Sequence, residues 1–156
     1  MPPISAAPIR WTRSSRAMVE VVSATQADID WLVREDANAG KAWISRCVAL
    51  GEYLVAKEAG EIVGFLRFSR FWGRVPYMEM IRIQTASRRS GVGTALFLAW
   101  EQAMRAEGAR MLMTSSECDE SRPQDWHRRN GFIETGAIEL PGLQSVPEVF
   151  FIKHIG

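Results

Sequence analysis

Cysteine and histidine are scarce in this chain: Cys47 and Cys118, His127 and His154 are all it has. Four such residues, in no metal-ligand spacing, exclude a disulfide framework and argue against a zinc site. A reduced, cytoplasmic setting without metal is the expectation. A charge excess is missing too, with 19 basic against 18 acidic side chains. That balance argues against a broad nucleic-acid-binding surface, which needs a basic surplus. The local basic clusters, Arg88-Arg89 and Arg122 with Arg128 and Arg129, suit a phosphorylated small molecule better than a duplex. No apolar run approaches the ~20 residues that span a bilayer, so no membrane partner is expected. Residues 1–17 carry Pro, Ser and Arg rather than an apolar signal core and read as a mobile tail, with Ile9 and Trp11 as the alternative of a strap across a neighbour. Residues 18–156 are long enough for a single domain with its own core.

What is present alternates between strand and helix patterns. Ala17–Ala24 reads as a first strand. Thr25 and Asp28 have the spacing of a capping box, opening a helix whose buried stripe is Ile29, Leu32 and Val33. A second short helix over Lys41–Leu50 has Trp43, Ile44, Cys47 and Val48 as its apolar stripe. Glu52–Ala59 and Glu61–Arg70 are strands joined by a tight turn at Ala59-Gly60. After the connection Phe71–Pro76, Tyr77–Gln84 is a fourth strand. A helix follows from Gly93, stopped at Gly108. Ala109–Ser115 is a strand apolar on both faces, which fits a sheet covered on both sides. Ser121, with Gln124, reads as the cap of a last helix that Gly131 ends. Phe132–Leu140 and Val146–His154 close the chain as an antiparallel pair. The order is β-α-α-β-β-β-α-β-α-β-β.

The stretch Arg88-Arg89-Ser90-Gly91-Val92-Gly93-Thr94-Ala95 joins strand to helix, where the first helical N–H groups have no backbone acceptors. Those donors and the positive end of the helix dipole make an anion site. Gly91 and Gly93 allow close approach to the backbone, and the two arginines add charge. On physical grounds this is a phosphate or pyrophosphate cradle. The Lys-Ser/Thr pair of a P-loop is absent, and Leu96 stands where a dinucleotide fingerprint needs a third Gly or Ala.

The pattern Arg/Gln-x-x-Gly-x-Gly/Ala resembles the acetyl-coenzyme A loop of the GCN5-related N-acetyltransferase (GNAT) family. Trp126-His127-Arg128-Arg129-Asn130-Gly131-Phe132 resembles that family's aromatic-aromatic-x-x-x-Gly-Phe segment. The resemblance covers roughly residues 18–154. It implies an α/β fold of mixed, mostly antiparallel sheet with about seven strands and about four helices, splayed between its fourth and fifth strands. It implies acetyl-CoA as co-substrate, its diphosphate on the backbone of Arg89 to Ala95. Backbone groups of Ile81, Arg82 and Ile83 would take the pantetheine arm, and Trp126 and Arg129 would contribute from the last helix.

Acetylating an amine requires that an ammonium lose a proton and that a thiolate depart. Glu79, on an otherwise apolar strand, stands where many family members place a carboxylate base; the alternative is an ordinary ion pair. His127 replaces the tyrosine that usually protonates the thiolate, and is the candidate acid. Tyr77 or no side-chain acid is the alternative. Glu120 stands where an Asn often touches the cofactor arm. A covalent route through Cys118 is conceivable; Cys47 reads as core. The expected acceptor cleft carries Trp31, Asp36, Trp43, Phe71, Trp72, Tyr77 and Glu148, which suits a small cationic amine without excluding a peptide amine. The implied activity is N-acetyl transfer to a primary amine in a ternary complex. The alternatives are a non-catalytic acyl-CoA-binding module and an RNA-acetylating enzyme, and a homodimer through the last strands or the N-terminal tail is compatible with each.

Overall fold

The computed structural model describes residues 9–11 and 18–156. Most of the expected tail, residues 1–8 and 12–17, thus lies outside the described residues; within it, Ile9–Trp11 forms a short strand, β1. The strands that follow are β2 (Val19–Ser23), β3 (Tyr53–Glu58), β4 (Glu61–Phe71), β5 (Val75–Ile83), β6 (Met111–Glu117), β7 (Ile133–Ile138) and β8 (Glu148–His154). The α-helices are α1 (Ile29–Glu35), α2 (Lys41–Ala49), α3 (Val92–Ala106) and α4 (Ser121–Arg129). Among the described residues, hydrogen bonding links the strands in the order β1-β2-β3-β4-β5-β6-β8-β7. The mixed sheet and four helices are those the sequence leads one to expect, with β1 as an added edge strand. Contacts divide the chain into two units: residues up to Phe68 with Met80–Ala103, and Ser69–Glu79 with Met104–Gly156.

In the first unit β1 to β4 form an antiparallel meander. Ala59 and Gly60 both take positive φ, 48° and 81°, the backbone twist that a two-residue hairpin requires. Alternation along β3 and β4 sorts the core. Val55 pairs with Phe65, and both lie under α1 and α2 with Leu32, Ile44 and Cys47. Phe65 meets the Trp31 ring edge-on at 6.2 Å, so Trp31 packs on the core. The other face holds Leu66, and Phe68 meets Trp100 of α3 at 5.9 Å. The capping box forms: Thr25 N–H donates to Asp28 Oδ2 at 2.8 Å. Two positions expected on buried stripes are not buried. Val33 is 38% and Trp43 41% exposed, because a two-turn helix such as α1 buries a single line of side chains and Trp43 instead lies under the Arg46 guanidinium, 5.5 Å away.

Asp36, expected in the acceptor cleft, is buried in a structural cluster. It accepts from Tyr53 Oη at 2.5 Å and from Arg67 Nε at 2.8 Å. Burial and the bond to Asp36 push the Tyr53 phenol up, so it stays protonated. The cluster fixes the end of α1 to β3 and β4.

In the second unit β5 and β6 run parallel, in the register Tyr77↔Met113 and Met78↔Thr114, and Thr114 Oγ1 donates to Met78 O at 3.1 Å. β6 pairs with β8 and β8 with β7, both antiparallel. Leu112, Thr114 and Ser116 of β6 and Val149 and Phe151 of β8 are buried, while Met113, Ser115, Glu117, Glu148, Phe150 and Ile152 are half-buried. The two-residue period of strands therefore gives a closed face and a more open one. Gly108 takes φ 89° and ends α3, with Ala109 N–H on Met104 O at 3.0 Å. Ser121 is not the cap expected of it: α4 begins at Ser121, and Glu120 holds the cap position without a side-chain bond. Gln124 reaches back instead, its amide donating to Glu117 O at 3.1 Å and Cys118 O at 3.0 Å. No helix among the described residues is long and apolar enough to cross a membrane.

Candidate active site

β5 ends at Ile83, and Gln84 N–H donates to Val63 O at 2.8 Å, which moors the start of the loop to β4. A 3-10 turn, Thr85–Ser87, carries the chain round. Arg89 and Gly91 then take φ of 62° and 89°. For Arg89 the left-handed conformation costs about 1–2 kcal/mol, so its neighbours must hold it. Ser90 Oγ donates to Ser87 O at 2.5 Å and Arg88 Nε to Ile83 O at 3.1 Å. On the inner side Val92 and Leu96 are 1% and 0% exposed and anchor α3.

The outward side of the bend is open. Arg88, Arg89, Ser90 and Thr94 are exposed; Gly91 and Gly93 are half-buried. The first N–H with an acceptor one helical turn back is that of Ala95, on Gly91 O at 3.0 Å. Those of Val92, Gly93 and Thr94 therefore lie in the first turn, where a helix supplies no acceptor. Behind the loop, the C-terminal end of β5 fits closely over Gly64: a Cβ there would lie 2.8 Å from Ile83 Cδ1 and 3.0 Å from Arg82 O. The backbone of Ile81, Arg82 and Ile83 is thereby held against β4, and Arg82 Nη1 donates to Glu35 O at 3.4 Å.

Tyr77 and Glu79 stand earlier on β5, both half-buried. Tyr77 Oη lies 2.5 Å from Ser115 Oγ. Ser115 Oγ donates to Glu148 Oε1 at 2.7 Å, and Gln144 Nε2 donates to Glu148 Oε2 at 3.0 Å. Phe150 stacks on the Tyr77 ring, centroids 6.3 Å apart. Past β6, the carboxyl of Glu120 is held above its usual range by desolvation and then by Glu117, Asp119 and Glu148. Trp126 is half-buried and Arg129 exposed on α4.

His127, the candidate acid, lies in the core. It is 4% exposed, with Phe151 and Phe132 at 5.3 and 6.0 Å. Burial among these rings pushes its pKa to about 4, so at neutral pH it holds no transferable imidazolium proton. Its Nδ1 has no hydrogen-bond partner. A hydrogen bond with the Ser115 backbone works against that shift without cancelling it.

Ser115, Gln144 and the Asp36 cluster escape sequence reasoning. Ser115 meets partners 38 and 33 residues away, and no local pattern marks such pairs. The alternation of β6 does place Ser115 on the open face.

A model of the acetyltransferase (GNAT) family matches residues 20–132. No curated protein matches. Similar solved structures include a GNAT-family acetyltransferase from Bacillus cereus, with TM-score 0.73 and 23% identity over 88% of this chain and 97% of that one. Ard1 from Thermoplasma volcanium gives TM-score 0.77 at 19% identity, over 88% and 97%. A GNAT acetyltransferase from Elizabethkingia anophelis, solved with acetyl-CoA bound, gives 0.69 at 15% identity, over 88% and 98%. At these identities the likeness concerns the fold. The family model, by contrast, takes in both the strand that feeds the glycine bend and the segment ending at Gly131-Phe132, and on that ground the chain belongs to the acetyltransferase (GNAT) family.

Proposed function

We propose that the chain is an acetyl-CoA-dependent N-acetyltransferase that acts on a primary amine, of a small molecule or a peptide, by direct transfer in a ternary complex. The observation that carries this reading is the bend Arg88–Thr94, exposed at Arg88, Arg89, Ser90 and Thr94, which leads into a helix whose first-turn N–H groups have no helical acceptor. That donor set suits a diphosphate: Arg88 and Arg89 add charge, Gly91 and Gly93 leave the backbone open, and Ala95 closes the first turn. Ile81, Arg82 and Ile83 offer an extended backbone for the pantetheine arm, and Trp126 and Arg129 are the further contacts that the family resemblance implies. Bound acetyl-CoA supplies an acetyl group activated as a thioester.

The remaining chemistry is proton handling. Glu79 is the candidate base. Its carboxylate attracts an ammonium and takes its proton, directly or through water. With His127 buried and neutral, the thiolate leaves unaided, as the comparatively weak base that a thiolate is. His127 is also what favours the second reading, a non-catalytic acyl-CoA-binding module. Screening small amines and unblocked peptides for thiol release from acetyl-CoA separates the two. Turnover with any acceptor supports the enzyme; tight acetyl-CoA binding with none across all acceptor classes supports the module. A cytoplasmic location and a homodimer through the last strands belong to this proposal as well.

A further inference from the structure

We propose that β7 is the seam of a symmetric dimer, in which two copies of the chain join strand to strand, β7 antiparallel to β7. This gives the homodimer proposed above a surface and a register, and it needs no part of the acetyl-transfer reading. β7 is the outer strand of its sheet, and every residue of Ile133–Ile138 is exposed. The outer side of an edge strand presents a row of backbone N–H and C=O groups that another strand can take up. Its one charged residue, Glu134, accepts from Arg128 Nη2 at 3.3 Å. Its two large apolar side chains, Ile133 and Ile138, are 60% and 52% exposed. On a regular strand these two would point to opposite faces. The register with β8 shifts between Glu134 and Gly136, and the shift puts them on one face. Ile133 pairs with Ile152 and Ile138 with Glu148, which point the same way along β8. That face is the open one of the second unit, where Ile133 continues the row Met113–Ile152.

The strand is complementary to itself. A two-fold axis at the Thr135-Gly136 peptide sets Ile133 opposite Ile138 of the second copy, Glu134 opposite Ala137, and Thr135 opposite Gly136. Isoleucine meets isoleucine twice on the same face and no charge meets its like, as a self-matching interface requires. Charge at the two ends of this sheet is complementary about the same axis. Where β7 begins stand Arg110, Arg129 and Lys153, the last so close that a Cβ on Gly131 would lie 3.1 Å from Lys153 Cε. Where β7 stops stand Glu139, Glu148 and, opposite Glu148 in the register of β6 and β8, Glu117. Joining two copies antiparallel brings the acidic end of each beside the basic end of the other. An unrelated strand would have to match both ends and both isoleucines; a second copy does so by symmetry.

Sedimentation velocity on the full chain, with folding checked by circular dichroism, tests the seam. Wild type should be a dimer at about 100 μM. Ile138→Lys puts a cation beside Glu148 of its own chain and against the basic end of the other copy. Ile133→Glu puts a carboxylate at the basic end of its own chain and against the acidic end of the other copy. Each variant alone should dimerise at least about 10-fold more weakly than wild type. Mixed in equal amounts they should pair with each other, because the new lysine of one faces the new glutamate of the other while Ile133 still faces Ile138 across the second contact. The mixture should recover affinity to within about five-fold of wild type. Leu50→Lys, at an exposed position of the first unit, should leave the dimer intact. A monomeric wild type, single variants that dimerise as tightly as wild type, or a mixture that fails to recover would each overturn the seam. Slow amide exchange in β7 of a monomer would assign the edge to another segment of the same chain instead. Calorimetry with acetyl-CoA on the same samples keeps the two proposals apart. A dimer that binds no acetyl-CoA overturns the enzymatic reading and leaves the seam; a monomer that binds it does the reverse.

Discussion

Burial decides what His127 can do. Its pKa of about 4, against an ordinary 6.5, means that the unfolded chain binds a proton there between those pH values and the folded chain does not. Stability from this group is therefore complete above pH 6.5 and is lost as pH falls toward 4, at no more than about 1.4 kcal/mol per pH unit. His127→Phe should flatten the acid limb of stability in urea melts compared at pH 7 and pH 5; an unchanged limb would mean that the ring is not buried neutral. Glu79 makes the opposite kind of prediction, about rate. Glu79→Gln should lower turnover about 100-fold and weaken its rise with pH while acetyl-CoA affinity holds, and steady-state kinetics that match wild type would remove it from the reaction. The two residues also differ in legibility. The strand position of Glu79 follows from its spacing to the loop. The burial of His127 depends on Phe132 and Phe151, which only the folded chain brings to its ring.

At the scale of elements, the first unit depends on an ion pair that no local pattern announces. Asp36 ends α1 yet is 1% exposed, and Arg67 on β4 is 6% exposed. Asp36→Ala removes the carboxylate that both Arg67 and Tyr53 donate to, and should cost about 3–5 kcal/mol by chemical denaturation; a loss below about 1 kcal/mol would mean that other groups or water replace the carboxylate easily. The strands and helices around it were readable because their signals are local: alternation in β3 and β4, the Thr25–Asp28 box, Gly108 after α3. Boundaries shifted where register decides them. The strand read as Ala109–Ser115 runs Met111–Glu117, because pairing with β8 extends it. The cap read at Ser121 failed because Gln124 had carbonyls behind it to bind.

For the molecule as a whole, the order of strands and helices and the family followed from two short motifs in their strand and helix context, since glycines at a bend and before Phe132 reflect backbone geometry that side chains elsewhere cannot change. The contacts among β5, β6 and β8 were not legible, because those strands are far apart in sequence. The proposed function rests on the bend holding a diphosphate. Isothermal calorimetry with acetyl-CoA on the wild-type chain and on Gly91→Val, with folding checked by circular dichroism, tests this directly. Gly91 takes φ 89°, which a β-branched residue resists. The expected result is saturable binding by wild type and at least about 100-fold weaker binding by a folded Gly91→Val. Equal affinity in the two proteins, or no binding by wild type, would contradict it.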